Sequence, residues 1–404
     1  MPENVFGLPA KEIAKDVWLL DDLDFDYEKA QAESELLSAA EKALGLWPES
    51  SEFDESGSGT LLVGDCGGHL LPPVYQVTNA VLTVVDGASN AVHDLFMLHE
   101  ISGSNTWTFV ARGTNGQTVF VVTNVPADQN FFTVCCTNDT DCDTLSDCWE
   151  ALMYHTDSND PDTDYDGRSD YEELVEGTDP LNPASFTPVR LGYFRFNDTN
   201  WLGTRGQVPL AASNLHLADA WITRAVEVNT NGALLKYKDV ECGGAANINL
   251  RSGTVRFWFK SLWNSGTGPG AAGKLIEVGS KGASETNGWW SLFFNSTGNT
   301  LILASQTNSM AETTNLTAAV SFASNNWYQI VLTYTNGAFA LYTNGVLCAT
   351  NTGTLQYPGL AQRQTGFNVG AGADGNNQVK GVIEDLDTAN YPLCEELPKN
   401  PTSG

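Results

Sequence analysis

Basic residues are scarce in this chain, and their scarcity excludes whole classes of partner. Lysine and arginine number 20 against 49 aspartates and glutamates, a formal charge of −29. Such a surface repels phosphate backbones and anionic headgroups at long range, so nucleic acid is excluded as a partner and divalent cations are favoured. Long apolar runs are also missing: no stretch reaches eighteen residues, and no membrane insertion is expected. The opening MPENVFGLPAKEIAKD lacks a basic head followed by an apolar core, so no secretory leader is legible there. The few histidines fall in no nucleophile-and-base arrangement, and no G-x-S-x-G elbow occurs. Eight cysteines in 404 residues are too few for a disulfide scaffold. Cys135, Cys136, Cys142 and Cys148 nevertheless cluster, and a local bridge among them is expected, with its pairing open. Cys66 and His69 have the spacing of half a zinc site but lack the second half.

Acidic residues are abundant, and between residues 138 and 183 they are spaced. Asp162, Asp164, Asp166, Gly167, Asp170 and Glu173 match the twelve-residue loop D-x-D-x-D-G-x-x-x-x-x-E. Alternate residues of a tight turn aim oxygens inward, position seven (Arg168) offers its backbone carbonyl, glycine takes the sharp bend, and the final glutamate gives two oxygens to a hard cation. The spacing predicts calcium. Upstream the pattern recurs with Asp139, Asp141, Asp143, Leu145, Asp147 and Glu150, but Thr144 stands where Gly167 does. A β-branched residue in left-handed backbone costs about 1–2 kcal/mol, so the first loop is expected to be the weaker or more distorted. Carboxylates ~4 Å apart repel by about 4 kcal/mol at an effective dielectric near 20, so without a cation the stretch should loosen. A merely solvated acidic linker would show neither the fixed offsets nor the apolar phrases that follow each loop.

The stretch resembles the bacterial thrombospondin type 3 repeat, whose closing words Gly177-Thr178-Asp179-Pro180-Leu181-Asn182-Pro183 match. The resemblance implies ligands reaching between repeats, with Asp157, Asp160 and Asp179 as candidates.

On either side the pattern changes. Residues 1–59 read as an acidic helical segment and linker, with an apolar stripe at Ala30, Leu36, Leu37, Ala40 and Leu44. Residues 60–136 carry short alternating runs broken by Gly, Asn and Ser, a small β-sandwich module. Residues 137–187 hold the two loops. Residues 188–395 are β throughout, with Asn-Gly hairpin signals at Asn336-Gly337 and Asn344-Gly345, and predict two packed sheets; 396–404 form a tail. Here Gly253-Thr254-Val255-Arg256-Phe257-Trp258-Phe259-Lys260, the phrase from Asn326 to Tyr334, Leu341-Tyr342-Thr343-Asn344-Gly345 and Lys380-Gly381-Val382-Ile383-Glu384-Asp385-Leu386 resemble the strands of the laminin-G-like jelly roll in the concanavalin A-like lectin and glucanase superfamily. The fold class expected is therefore mainly β.

Glucanases of that superfamily align three acids on one strand face. Strict alternation from Ile383 puts Asp385 and Asp387 on one face and Glu384 on the other with Leu386, so the trio is not expected to form, nor is enzymatic activity. Trp263 and Trp289, beside glycine-rich turns, are taken as candidate sugar platforms, and Trp258, Trp290 and Trp327 as core. Together these readings point to an extracellular or surface-displayed, calcium-binding, non-enzymatic adhesion protein. Its partner would be a glycan or a cell-surface or matrix protein. The alternatives are a self-associating subunit of a surface layer or filament, and an accessory carbohydrate-binding part of a polysaccharide-degrading enzyme.

Overall fold

A computed structural model of the chain describes residues 69–393 apart from positions 72, 77–78, 86, 89, 99–106, 126–129, 221–223, 283–287 and 308–309. The helix expected before residue 59 lies outside the described residues. These residues fall into two compact units, one drawn from Met1–Asn138 and Ser146–His155, the other from Asp139–Leu145 and Thr156–Gly404.

In the first unit the strand Asn79–Val85 alternates in burial, so Leu82 and Val84 pack against Leu95, Phe120 and Val134. It pairs with His69–Leu70, Val74–Gln76 and Val119–Val122; a second sheet sets His93–Leu98 between Thr108–Arg112 and Phe131–Cys136. A short helix, Asp147–Trp149, runs into a wider helical turn, Glu150–Tyr154, which ends at His155 in left-handed backbone with φ of 61°. The expected local bridge forms between Cys135 and Cys148 and holds this turn on the module. Asp94 is fully buried there because Arg112 donates to both its oxygens at 2.7 Å and the Trp149 indole donates at 3.0 Å.

The second unit is the two-sheet sandwich. One sheet has the order His216–Asp219, Arg224–Val228, Gly381–Ala389, Gly253–Ser261, Trp327–Tyr334, Ala338–Thr343, Val346–Thr352, with Arg190–Phe194 also paired to Gly381–Ala389. The other runs Thr313–Ala319, Thr300–Gln306, Gly288–Phe294, Gly273–Ser280, Phe367–Val369, Leu234–Tyr237, Ala211–Ser213. Every strand pairing is antiparallel. Period-two burial explains the core: Val255, Phe257 and Phe259 face inward and meet Trp290, Leu292 and Phe294 from the opposite sheet. Each such side chain contributes about 2–3 kcal/mol by leaving water. The hairpin at Asn344 and Gly345 has both residues left-handed, with φ of 51° and 75°, the geometry that matches the twist of its strands.

The second acidic loop is packed into this unit. Its exit helix, Asp170–Glu176, starts with a capping box between Ser169 and Glu172 and stops at Gly177, φ 78°. Past the closing Asn-Pro, Asn390 at the end of the sandwich accepts from Val189 N at 2.8 Å and donates to Thr187 O at 3.1 Å.

Candidate metal centre

The second loop turns because its own side chains fold it. Asp162 accepts from Asp166 N at 3.1 Å and from Gly167 N at 2.8 Å, Asp164 accepts from Asp166 N at 3.1 Å, and Asp166 accepts from Arg168 N at 2.8 Å. Gly167 has φ of 90°, and a Cβ there would lie 2.8 Å from Cβ of Asn390, so both the bend and the approach to the sandwich require glycine. Asp162, Asp164 and Asp166 are buried, and one ligand oxygen from each falls within 4.8 Å of the others.

Donors inside the protein do not satisfy this cluster. Asp164 Oδ2, Asp166 Oδ2 and both carboxylate oxygens of the fully buried Glu173 have no hydrogen-bond partner. Burial pushes Glu173 up to about 8, and the charges of Asp166, Asp164 and Asp170 add to it. Burial first and neighbouring carboxylates second raise Asp164 to about 7 and Asp162 well above the carboxylate range. Burial raises Asp166 to about 6 and Asp170 to about 7. Three convergent buried carboxylates, two of them with an oxygen that lacks a donor, and a fourth unpartnered carboxylate at Glu173 are the donor chemistry a hard cation requires, so the residues fit the ion. Asp170 differs from the rest: both its oxygens are engaged by Thr163, from N at 3.0 Å and from Oγ1 at 2.8 Å, which closes the loop on itself.

The first loop repeats the opening geometry. Thr144 N donates to Asp139 at 3.0 Å, Asp143 N to Asp141 at 3.2 Å and Leu145 N to Asp143 at 2.6 Å. Thr144 has φ of 85°, the strained backbone expected where Gly167 sits in its counterpart. Asp139, Asp141 and Asp143 also converge within 4.8 Å, and burial, then Asp143, raises Asp141 to about 7. The other oxygen of Asp143 is taken by Tyr171 N at 2.9 Å. Asp147 and Glu150 are buried in the first unit.

The three inter-repeat candidates are placed differently from one another. Asp157 and Asp179 are exposed and accept from Asn159 N and Leu181 N in local turns. Asp160 is buried and receives Arg363 Nη2 at 2.7 Å. Arg363, itself buried, lies 3.9 Å from Asp239 and 3.9 Å above the Tyr165 ring. Arg251 adds a bond from Nη1 to the Asp164 carbonyl at 2.6 Å. Neither arginine was visible as a site residue, since Arg363 meets Asp160 across 203 positions of sequence.

The aromatic expectations are corrected. Trp263 is 6 % exposed, donates to Val379 O at 2.8 Å and packs among Phe259, Phe294 and Phe322. Trp289 is 1 % exposed, donates to Glu277 at 2.7 Å and has the Lys274 and Lys281 ammoniums each 4.2 Å from its ring centroid. Neither ring can stack on a sugar. Trp290 is core, as expected, but Trp258 and Trp327 lie half-buried on the face of the eight-stranded sheet turned away from the core. Trp258 opposes Gln329 and Trp327 opposes Lys260, so the two residues are diagonal neighbours on adjacent strands, a relation that sets residue positions about 7–8 Å apart, and the Lys260 ammonium lies 5.0 Å from the centroid of the Trp327 ring.

The acidic strand is corrected too. Opposite Gly253–Ser261 the register of Gly381–Ala389 shifts: Arg256 faces Asp387 but Trp258 faces Glu384. Asp385, with φ of 51°, is the extra residue of a bulge, so Ile383 and Leu386 both enter the core and Glu384 and Asp387 share the outer face. Asp387 is bound by Arg256 and, at 3.0 Å, by Arg190; Asp385 accepts from the Tyr193 hydroxyl at 3.0 Å.

Residues 236–396 match the family model described as the concanavalin A-like lectin/glucanases superfamily, and residues 162–183 match that of the bacterial TSP3 repeat. No curated protein matches the chain. Among solved structures, domain 4 of AbnA, a GH43 extracellular arabinanase from Geobacillus stearothermophilus, in complex with arabinotriose, is similar at 17% identity and a TM-score of 0.39, over 52% of this chain and 96% of that one. The binding domain of Paraclostridial Mosquitocidal Protein 1 is similar at 12% identity and 0.39, over 51% and 50%. The botulinum neurotoxin serotype D binding domain is similar at 18% identity and 0.38, over 51% and 49%, so the chain spans about half the length of these toxin domains. The chain thus carries a segment of the concanavalin A-like lectin and glucanase superfamily, preceded by a bacterial thrombospondin type 3 repeat.

Proposed function

We propose that the protein is an extracellular, calcium-binding, non-enzymatic binding or adhesion protein whose jelly roll is a lectin-like head for glycans. The observation that carries the binding reading is the pair Trp258 and Trp327, set on the outer face among Arg256, Lys260 and Gln329. Flat rings at diagonal spacing suit the apolar faces of successive sugar rings, and the polar neighbours suit their hydroxyls. Calcium would be held by Asp162, Asp164, Asp166, Glu173 and the Arg168 carbonyl, with Asp170 fixing the loop. It would supply the charge that the unpartnered oxygens lack and so hold the repeat closed against the sandwich. A retaining hydrolase needs one free acid and one free nucleophile ~5–5.5 Å apart. The ion pairs of Asp387 and the hydrogen bond to Asp385 instead favour binding without cleavage.

A glycan array probed with the full chain in calcium tests this reading. Retention of a glycan class is expected, and it should disappear in a Trp258→Ala/Trp327→Ala double variant. Release of reducing sugar from any retained polysaccharide would overturn the non-enzymatic reading. Assembly of the protein on itself, with no glycan retained, would replace adhesion by a structural role.

A further inference from the structure

Two thiols from distant parts of the sequence meet beside the first acidic loop. Cys142 sits between Asp141 and Asp143 in left-handed backbone, φ 66°. Cys242 is exposed and begins a turn whose next residues, Gly243 and Gly244, have φ of 101° and 79°. That turn lies directly on the loop. Gly243 N donates to the Cys142 carbonyl at 2.5 Å, and a Cβ on Gly244 would come within 3.4 Å of Cα of Asp143. The Cys142 and Cys242 side chains lie close enough to interact. The backbone contact brings the two residues close enough for a bridge, which needs Cα atoms no more than about 7 Å apart.

Their redox setting points the same way. Cys135 is bridged to Cys148, and Cys136 is also disulfide-bonded. Conditions that oxidise those cysteines also expose this adjacent pair to oxidant.

We infer that Cys142 and Cys242 close to a disulfide that staples the first acidic loop to the jelly roll. The co-reactant is a small-molecule disulfide such as oxidised glutathione. The thiolate of the more exposed Cys242 attacks one of its sulfurs, forming a mixed disulfide and releasing one glutathione thiol. Cys142 then attacks the Cys242 sulfur and releases the second. Two electrons and two protons leave the protein and reduce one glutathione disulfide to two thiols. The bridge adds a covalent tie between this loop and the sandwich to the hydrogen bond that Tyr171 N already gives Asp143.

The test uses the full chain, incubated with a glutathione redox buffer, alkylated and digested without reduction. A cross-linked peptide joining the segments of Cys142 and Cys242, lighter than the sum of its parts by two hydrogens, is expected, while Cys348 stays alkylatable. Recovery of Cys142 and Cys242 as alkylated as Cys348, or of Cys142 bridged to any other cysteine, would overturn the inference. In a Cys242→Ser variant Cys142 should become alkylatable, and amide exchange in residues 139–145 should quicken several-fold relative to the oxidised wild type. Unchanged exchange there would overturn the stapling role.

Discussion

Replacing Glu173 by Gln should change stability in opposite directions with and without calcium. Glu173 is fully buried, both its oxygens lack donors, and burial with nearby carboxylates raises it from 4.5 to about 8. The folded, ion-free chain therefore holds this proton more tightly than the unfolded chain does. Its stability falls as pH rises from about 4.5 to 8 and then levels off. At ~1.4 kcal/mol per unit, the ionised side chain costs the ion-free fold roughly 3 kcal/mol at pH 7 and about 5 above pH 8. A glutamine does not titrate and costs about 1–3 kcal/mol for its buried amide. In chelator at pH 8 the variant should thus be the more stable by about 2 kcal/mol, a rise of roughly 4–8 °C for a unit of this size. Saturating calcium reverses the order. Each tenfold loss of affinity removes about 1.4 kcal/mol of ligand stabilisation, so a loss of roughly thirtyfold offsets the ion-free gain and about a hundredfold overtakes it. Thermal unfolding at pH 8 in EGTA and in millimolar calcium reads both signs. If the variant melts below the wild type in EGTA as well, the buried oxygens of Glu173 serve the fold and the cation reading of this position fails.

Calcium affinity should rise between pH 6 and 8, because the ion displaces protons from Glu173 near 8, Asp164 near 7 and Asp166 near 6; calorimetry in buffers of differing ionisation heat counts those protons, and a flat profile would show that none is released. Arg363→Met leaves Asp160 buried without its guanidinium and should cost about 3–5 kcal/mol in urea unfolding, with much of the loss recovered in an Asp160→Asn/Arg363→Met double variant. Trp263→Ala should cost about 3–5 kcal/mol while Trp258→Ala costs far less, and only the second should abolish glycan retention; the reverse pattern would move the platform back to Trp263.

The acidic loops were legible because a cation loop is a local object. Its ligands lie within twelve consecutive residues, and the turn that gathers them is built from hydrogen bonds between near neighbours such as Gly167 N to Asp162. The strain at Thr144 was legible for the same reason: one side chain at one position decides it. The seating of the loop was not legible. It depends on Arg363 reaching Asp160 and Arg251 reaching the Asp164 carbonyl, and no periodicity ties those positions together. The buried ion pair is costly to form, and the hydrogen bond to Asp160, the nearby carboxylate of Asp239 and the Tyr165 ring offset that cost only in part, since Asp160 Oδ1 and Arg363 Nε have no hydrogen-bond partner.

The jelly roll shows how far alternation reaches and where it fails. In Gly253–Ser261, Val255, Phe257 and Phe259 are one set and Arg256, Trp258 and Lys260 the other, so Trp258 shares a face with two cations. That company places its ring on the outer face, against the general tendency of strand tryptophans to be buried. Trp263 escapes alternation because it follows the strand. It is covered by the turn at Gly298, where a Cβ would lie 2.3 Å from the indole. In Gly381–Ala389 alternation gives the wrong answer outright, since one left-handed residue, Asp385, adds a half-step and returns Leu386 to the face of Ile383. The bulge has a physical cause within reach of the sequence: strict alternation would bury either Asp385 and Asp387 or Glu384 in the core, at several kcal/mol for each unpaired carboxylate. With the bulge, both apolar residues enter the core and the three acids do not; Glu384 and Asp387 are still buried on the outer face, and Arg190 and Arg256 meet Asp387 while Tyr193 meets Asp385. An acidic run that alternation cannot place without burying a charge is therefore itself a sign of an irregular strand, and here that irregularity sets the polar border beside the tryptophan pair.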